Sequence, residues 1–171
     1  LPSWLLSAPR QLRRGADEQG DTVTTKNKWV ETDIPNQTGR TFLVTGANSG
    51  LGAEAAKALG RAGATVILAC RTVAKAEPVA AEIGDRAQVR RLDLADLASV
   101  REFAENTGEV DVLINNAGIM AVPYGRTADG FEMQFGTNHL GHFALTGLLL
   151  DRVKDRVVTM SSFAHQIPGL K

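Results

Sequence analysis

The sequence predicts an α/β protein built on a doubly wound parallel sheet. Three observations carry this expectation. Short apolar, β-branched runs recur along the chain at Thr41–Thr45, 65–69, 88–92, 111–115 and 157–160. Most are apolar throughout rather than alternating, as strands covered by helices on both faces are. The segments between them carry helical spacing, so strand and helix alternate, and the first strand runs straight into a glycine-rich turn.

Each element follows from its residues. Thr41–Thr45 is the first strand. Gly50 to Ala62 reads as a helix, with Leu51, Ala55, Ala58 and Leu59 at i, i+4, i+7 and i+8, and Gly63 stops it. The second strand is 65–69. Thr72 is placed to cap a helix running to about Ile83, which Pro78 should kink or split. The third strand is 88–92. Asp96 should cap a helix carrying Leu97, Val100, Phe103 and Ala104. The fourth strand is 111–115. A long helix is expected over roughly 130–150, with Phe131, Phe135, His139, Phe143 and Leu150 near one face, and 157–160 is the fifth strand. Phe131, Phe135 and Phe143 are read as core.

Length and composition bound the function. A chain of 171 residues is about one domain and can bury roughly 70% of the surface its unfolded form exposes. Lys and Arg total 19, as do Asp and Glu, so the net charge is zero and nucleic acid is not expected as a partner. A single cysteine, Cys70, excludes an intrachain disulfide and fits a reducing, cytoplasmic setting. No segment approaches the ~20 apolar residues of a membrane span. Residues 1–22 lack an apolar period and read as a mobile tail, so 1–35 is taken as tail and lead-in and 36–171 as the folded domain. The first methionine is Met120, which points to a processed chain, a fragment or a non-Met start.

Gly46-Ala47-Asn48-Ser49-Gly50-Leu51-Gly52 joins the first strand to the first helix. Gly46 suits the tight turn, Gly50 a close approach of backbone to a pyrophosphate, and Gly52 close helix–strand packing. Free N–H groups at the helix start would face the anion, as in Rossmann-type sheets. At the end of the second strand, where an NAD site usually carries a carboxylate for the ribose hydroxyls, stands Cys70-Arg71. An arginine there suits a 2′-phosphate, so NADP(H) is favoured over NAD(H).

Further motifs carry a family resemblance. Thr45-Gly46-Ala47-Asn48-Ser49-Gly50-Leu51-Gly52 resembles the TGxxxGxG loop of the short-chain dehydrogenases/reductases. Asp93-Leu94 resembles their adenine-contacting pair, and Asn115-Asn116-Ala117-Gly118 their NNAG motif. Residues 135–143 and 160–165 resemble the retinol-dehydrogenase-like branch. The resemblance covers about 36–171. It implies hydride transfer between a nicotinamide and a hydrophobic alcohol, aldehyde or ketone. It also implies cofactor contacts at Gly46, Asn48, Ser49, Gly50, Leu51, Gly52, Arg71, Asp93, Leu94, Asn115, Ala117 and Gly118. Asn138 would be the family's catalytic Asn, holding a water in a proton relay. Ser162, rather than Ser161, would hydrogen-bond the substrate oxygen. A homo-oligomer is compatible with a longer form.

The family's Tyr-x-x-x-Lys pair does not occur in these residues. The one tyrosine, Tyr124, precedes the serine, and only nine residues follow Ser162. The lysine lowers the tyrosine pKa so that it can exchange a proton near neutrality, and without the pair that half of the reaction lacks an agent. The expectation is therefore a sheet incomplete on its C-terminal side. The alternative function is a catalytically inactive nucleotide-binding module with a sensing or interaction role. His139 and His142 lack the further ligands of a metal site, so no metal is expected. Cys70 reads as a buried, inert thiol.

Overall fold

The structure, a computed structural model, describes residues 29–162, so the tail reading of residues 1–22 lies outside the described residues. Contacts divide the chain into Leu1–Val30 and Glu31–Lys171, and the fold is that of the second unit. Its elements are β1 (Thr41–Thr45), α1 (Gly50–Arg61), β2 (Thr65–Cys70), α2 (Glu77–Ile83), β3 (Ala87–Arg91), α3 (Leu97–Glu105) and β4 (Val110–Asn115). A short helix α4 (Met133–Phe135) then continues through a π-helical stretch, Gly136–Leu140, into α5 (Gly141–Leu149), and β5 (Val153–Thr159) follows. The strands form one sheet in the order β3-β2-β1-β4-β5, every pair parallel. The strand order reverses between β1 and β4, so the doubly wound expectation holds.

Alternation along the strands feeds two cores. Phe42, Val44, Val66 and Leu68 face α1 and α2, where Ala53, Ala56, Val79 and Ile83 meet them. Leu43, Ile67 and Leu113 face α3 and α5, where Val100, Phe103, Leu145 and Leu149 pack. Asp96 caps α3 as expected, accepting the Ala98 N–H at 2.9 Å. Pro78 splits its segment by starting α2, in whose first turn a missing N–H leaves no bond unmade. Thr72 makes no side-chain cap; a 3-10 turn at Val73–Lys75 precedes α2 instead.

Three further expectations are corrected. The inner face of α1 is Gly52, Ala53, Ala56 and Gly60, while Leu51 is 72% exposed. Small residues win that face because α1 lies close against its neighbours: a Cβ on Gly60 would stand 2.7 Å from Ile83 Cγ2. The aromatic row before and along α5 is not core, since Phe131, Phe135 and Phe143 are 40%, 53% and 73% exposed. The π turn adds a residue to the helical repeat, and the face turned inward becomes Gly136, Gly141, His142, Leu145 and Leu149. Phe135, His139 and Phe143 stack along the outside instead. Finally, β5 begins four residues earlier than expected. Lys154, Asp155 and Arg156 hide its first half, but charge is tolerated where a strand lies at the edge, as β5 does among the described residues.

Two glycines of α5 separate close approach from mere flexibility. A Cβ on Gly141 would strike the Leu94 carbonyl, whereas one on Gly147 would meet nothing within 4 Å. Gly141→Ala is therefore expected to destabilise by about 1–3 kcal/mol. Gly147→Ala should stabilise by about 0.4–1 kcal/mol by restricting the unfolded chain. Urea unfolding midpoints of the two variants should move in opposite directions from the parent.

Candidate functional site

Doubly wound sheets bind ligands beyond the carboxyl ends of the strands where the order reverses. Here that crevice is a cavity of about 460 Å³ running across the ends of β1, β2, β3 and β4. Gly46, Asn48, Ser49, Leu51 and Gly52 form one wall, Cys70 and Arg71 a second, Leu92, Asp93 and Leu94 a third, and Asn116, Ala117, Gly118 and Ile119 the floor.

The glycine loop owes its path to two positive φ angles, +67° at Gly46 and +55° at Gly50, which L side chains rarely adopt. Gly46 is also crowded: its Cβ would stand 2.8 Å from Ala117 Cα. A Cβ on Gly52 would collide with the Gly46 carbonyl and with Asn116 Nδ2, so this position holds α1 against β1 as expected. Gly50 opens α1, does not line the cavity, and leaves open space where its Cβ would be. Ser49 does not cap the helix with its side chain. The first N–H groups of α1 therefore remain at the cavity wall as an anion-binding end.

The NNAG residues divide in two. Asn116, Ala117 and Gly118 line the cavity, whereas the Asn115 side chain is 4% exposed and turned toward α5 and β5. Its Nδ2 donates to Thr146 Oγ1 at 2.9 Å and to Thr159 Oγ1 at 3.4 Å. The Asn116 amide reaches back to β1, Nδ2 donating to the Thr45 carbonyl at 2.9 Å. Asn116 belongs to the NNAG motif but not to the cofactor contacts that the resemblance implies, and Ile119 lies one residue beyond the motif. Period-two alternation through the strand end, which sends Asn115 inward and Asn116 outward, was the available signal.

Asn138 lies in the π-helical stretch and is clamped to the floor. Its Oδ1 accepts the Ile119 N–H and its Nδ2 donates to the Ile119 carbonyl, both at 2.8 Å. Glu132, also unread in the sequence, starts this helix by accepting the Gln134 and Phe135 N–H groups at 3.0 and 2.8 Å. Those bonds hold its carboxyl below its ordinary value. Ser161 and Ser162 are exposed and follow the end of β5. Arg71 is exposed at the end of β2, and among the described residues it has no ion-pair partner. Cys70, 3% exposed, has its thiol pKa pushed up by burial, as an inert thiol would.

Beneath the floor His142 is 5% exposed, and burial holds its imidazole below the ordinary value of 6.5. A histidine with a depressed folded pKa binds fewer protons folded than unfolded. Stability is then complete above pH 6.5 and declines as pH falls below it, by up to 1.36 kcal/mol per pH unit. Glu31, Glu132 and Asp155 start from 4.5, 4.5 and 3.8 and are lowered, so their losses come at lower pH. Urea unfolding at pH 7.5, 6.5 and 5.5 should show the midpoint falling only slightly over the first step and more steeply over the second. A flat profile would count against this assignment.

The fold and cavity define a Rossmann-type dinucleotide-binding domain. The model of the short chain dehydrogenase family matches residues 40–170, and the chain belongs to that family. Retinol dehydrogenase 13 of Homo sapiens is 51% identical over 140 residues, 74% of this chain and 42% of that protein. Retinol dehydrogenase 12 of Mus musculus is 50% identical over 146 residues, 78% of this chain and 46% of that protein. The chain thus spans less than half the length of these curated relatives. Among solved structures, an uncharacterized protein from Mycobacterium paratuberculosis is 60% identical with a TM-score of 0.78, covering 80% of this chain and 51% of that one. A short chain dehydrogenase from Escherichia coli CFT073 complexed with NADPH is 30% identical with a TM-score of 0.67, covering 78% and 62%.

Proposed function

We propose that the chain carries the cofactor-binding part of an NADP(H)-dependent oxidoreductase acting on a hydrophobic alcohol, aldehyde or ketone. Bound nicotinamide would donate or accept the hydride. Arg71 on the cavity wall carries the cofactor choice. It follows the end of β2, where an NAD site usually has a carboxylate, and it is not committed to an ion pair among the described residues. The NADPH-bound relative supports the same choice. The retinol dehydrogenase relatives support an apolar alcohol or aldehyde as the substrate.

The turn from Gly46 to Gly52 and the open end of α1 would hold the pyrophosphate. Asp93 and Leu94 would border the adenine, and Ala117 and Gly118 the inner ribose. Asn115 would serve from behind, tying the ends of β4 and β5 to α5. Asn138 would hold a water, and Ser162 would donate to the substrate oxygen. None of these groups readily gives up a proton at neutral pH.

Two measurements test this. Arg71→Ala should weaken NADPH binding by about 1.5–3 kcal/mol and leave NADH binding nearly unchanged. Calorimetric titration of both cofactors reads the difference, and equal weakening would refute the NADP(H) assignment. The 171 residues hold no Tyr-x-x-x-Lys, and Tyr124 is 76% exposed and outside the cavity lining. A general acid contributes roughly 10²–10⁴-fold in rate. The purified chain should therefore bind NADPH yet show no NADPH oxidation with apolar aldehydes and ketones. Turnover that disappears in Ser162→Ala would show that another residue supplies the proton.

A further inference from the structure

His142 is one of seven buried polar side chains among the described residues, and nothing in the proposed hydride transfer uses it. Its surroundings determine its state. On one side, Nε2 is 2.9 Å from Thr45 Oγ1. That oxygen already accepts two backbone N–H groups, from Asn116 at 2.9 Å and Ala117 at 3.0 Å. Both of its lone pairs are therefore occupied, and its single hydrogen is the one thing it can offer. Two acceptors lie within reach: the Ile114 carbonyl at 3.4 Å and His142 Nε2 at 2.9 Å, the second the better placed. Nε2 must then carry a lone pair.

On the other side, Nδ1 is 2.9 Å from the Asn138 carbonyl oxygen, which can only accept. Nδ1 must then carry the hydrogen. The two ends select the same neutral tautomer independently. The imidazolium would bring an N–H against a hydroxyl with no lone pair left. Hydrogen bonds thus run in one direction, from the Asn116 and Ala117 amides into Thr45, from Thr45 into His142, and from His142 into Asn138.

The place where the chain of bonds ends is informative. At Asn138 the helix is π-wound, the Gly141 N–H bonding back five residues to the Gly136 carbonyl. A π turn loosens the regular succession of carbonyl partners, and the imidazole supplies one for Asn138. The Asn138 side chain in turn clamps Ile119 at both its N–H and its carbonyl, and Ile119 lines the cavity.

We propose that His142 is a positioning residue: locked as the Nδ1–H tautomer between the Thr45 hydroxyl and the Asn138 carbonyl, it sets Asn138 and, through it, the Ile119 edge of the cavity. Its consequence for catalysis rests on the hydride-transfer proposal, whereas the bond directions do not.

The test uses the full 171-residue chain labelled with 15N at pH 7. Long-range 1H–15N correlation of the His142 ring should give a protonated Nδ1 and an unprotonated Nε2. The other tautomer, or the imidazolium, would overturn the proposal. Two variants then separate positioning from space filling. His142→Phe retains a ring but no donor, while His142→Asn keeps a donor close to the position of Nδ1. In His142→Phe the Asn138 side-chain amide should exchange about tenfold faster and NADPH affinity should fall about three- to tenfold, the scale of one net hydrogen bond. His142→Asn should restore most of both. If His142→Phe matches the parent and His142→Asn is the worse of the two, the ring merely fills space and the proposal fails. If His142→Phe does not fold, the ring tautomer and the Asn138 exchange in His142→Asn decide. A parent that binds no NADPH would remove the hydride-transfer proposal, while the tautomer and exchange measurements would still decide the role of His142.

Discussion

Where β1 and β4 part at the reversal of strand order, the sheet has to open a crevice without leaving backbone groups stranded. The Thr45 hydroxyl meets that requirement. It is fully buried at the last residue of β1 and accepts the first two N–H groups that leave β4, those of Asn116 and Ala117. The Thr45 carbonyl takes the Asn116 side chain, and the next amide, Gly46 N–H, crosses to the Ala69 carbonyl on β2. Three strands are therefore tied at one point just beneath the cavity. A buried donor or acceptor left unmade costs about 1–3 kcal/mol, so no single bond here can be released cheaply. The loop, the floor and the entry of α1 take their positions from this point.

Close backbone approach is the second constraint, and it explains why glycine stands where the loop, the floor and α5 meet their neighbours. Gly46 lies against Ala117, Gly52 against the Gly46 carbonyl, and Gly141 against the Leu94 carbonyl. The first two bring the glycine loop onto the floor. The third brings α5 up beneath the Asp93-Leu94 wall, so this wall and the helical stretch bearing Asn138, which α5 continues, are held by the same contact. At these points of approach the inner faces carry glycine, alanine and one histidine, and leucine enters α5 only further along, at Leu145 and Leu149.

That closeness also decides what could be read from the sequence. β1, β2 and β4 were legible because a strand buried on both faces is largely apolar, and the Asp96 cap because its chemistry is local. The glycine turn was legible because its residues sit between a strand and a helix. The face of α1 was not, since a search for large apolar residues picks Leu51, which the structure leaves at the cavity rim. The face of α5 was not, because one extra residue in the π turn shifts the register of everything after it. Phe135, His139 and Phe143 keep perfect i+4 spacing and still point outward. The roles of Asn115 and Asn116 depended on which way each side chain leaves the end of β4. The resemblance marks the motif as a unit, and only the backbone separates the asparagine that faces the cavity from the one that faces α5.

Asn115 shows how the site end of the sheet resolves competing demands. Its Oδ1 is buried without a hydrogen-bond partner among the described residues, while its Nδ2 bonds Thr146 on α5 and Thr159 on β5. Turning the amide over would not help. The two threonine hydroxyls could donate to Oδ1, but Nδ2 would then carry two unpaired N–H bonds in place of one unpaired carbonyl. The observed orientation leaves the lesser deficit, and in exchange one side chain joins β4 to both neighbours at the level of the cavity floor. An apolar residue would avoid the deficit but could not bond either hydroxyl, and the strand ends leading to Asn116 and to Ser162 would lose their common tether. Polar residues at the carboxyl ends of β1, β4 and β5 are thus retained for position, while the middle of each core relies on apolar burial alone.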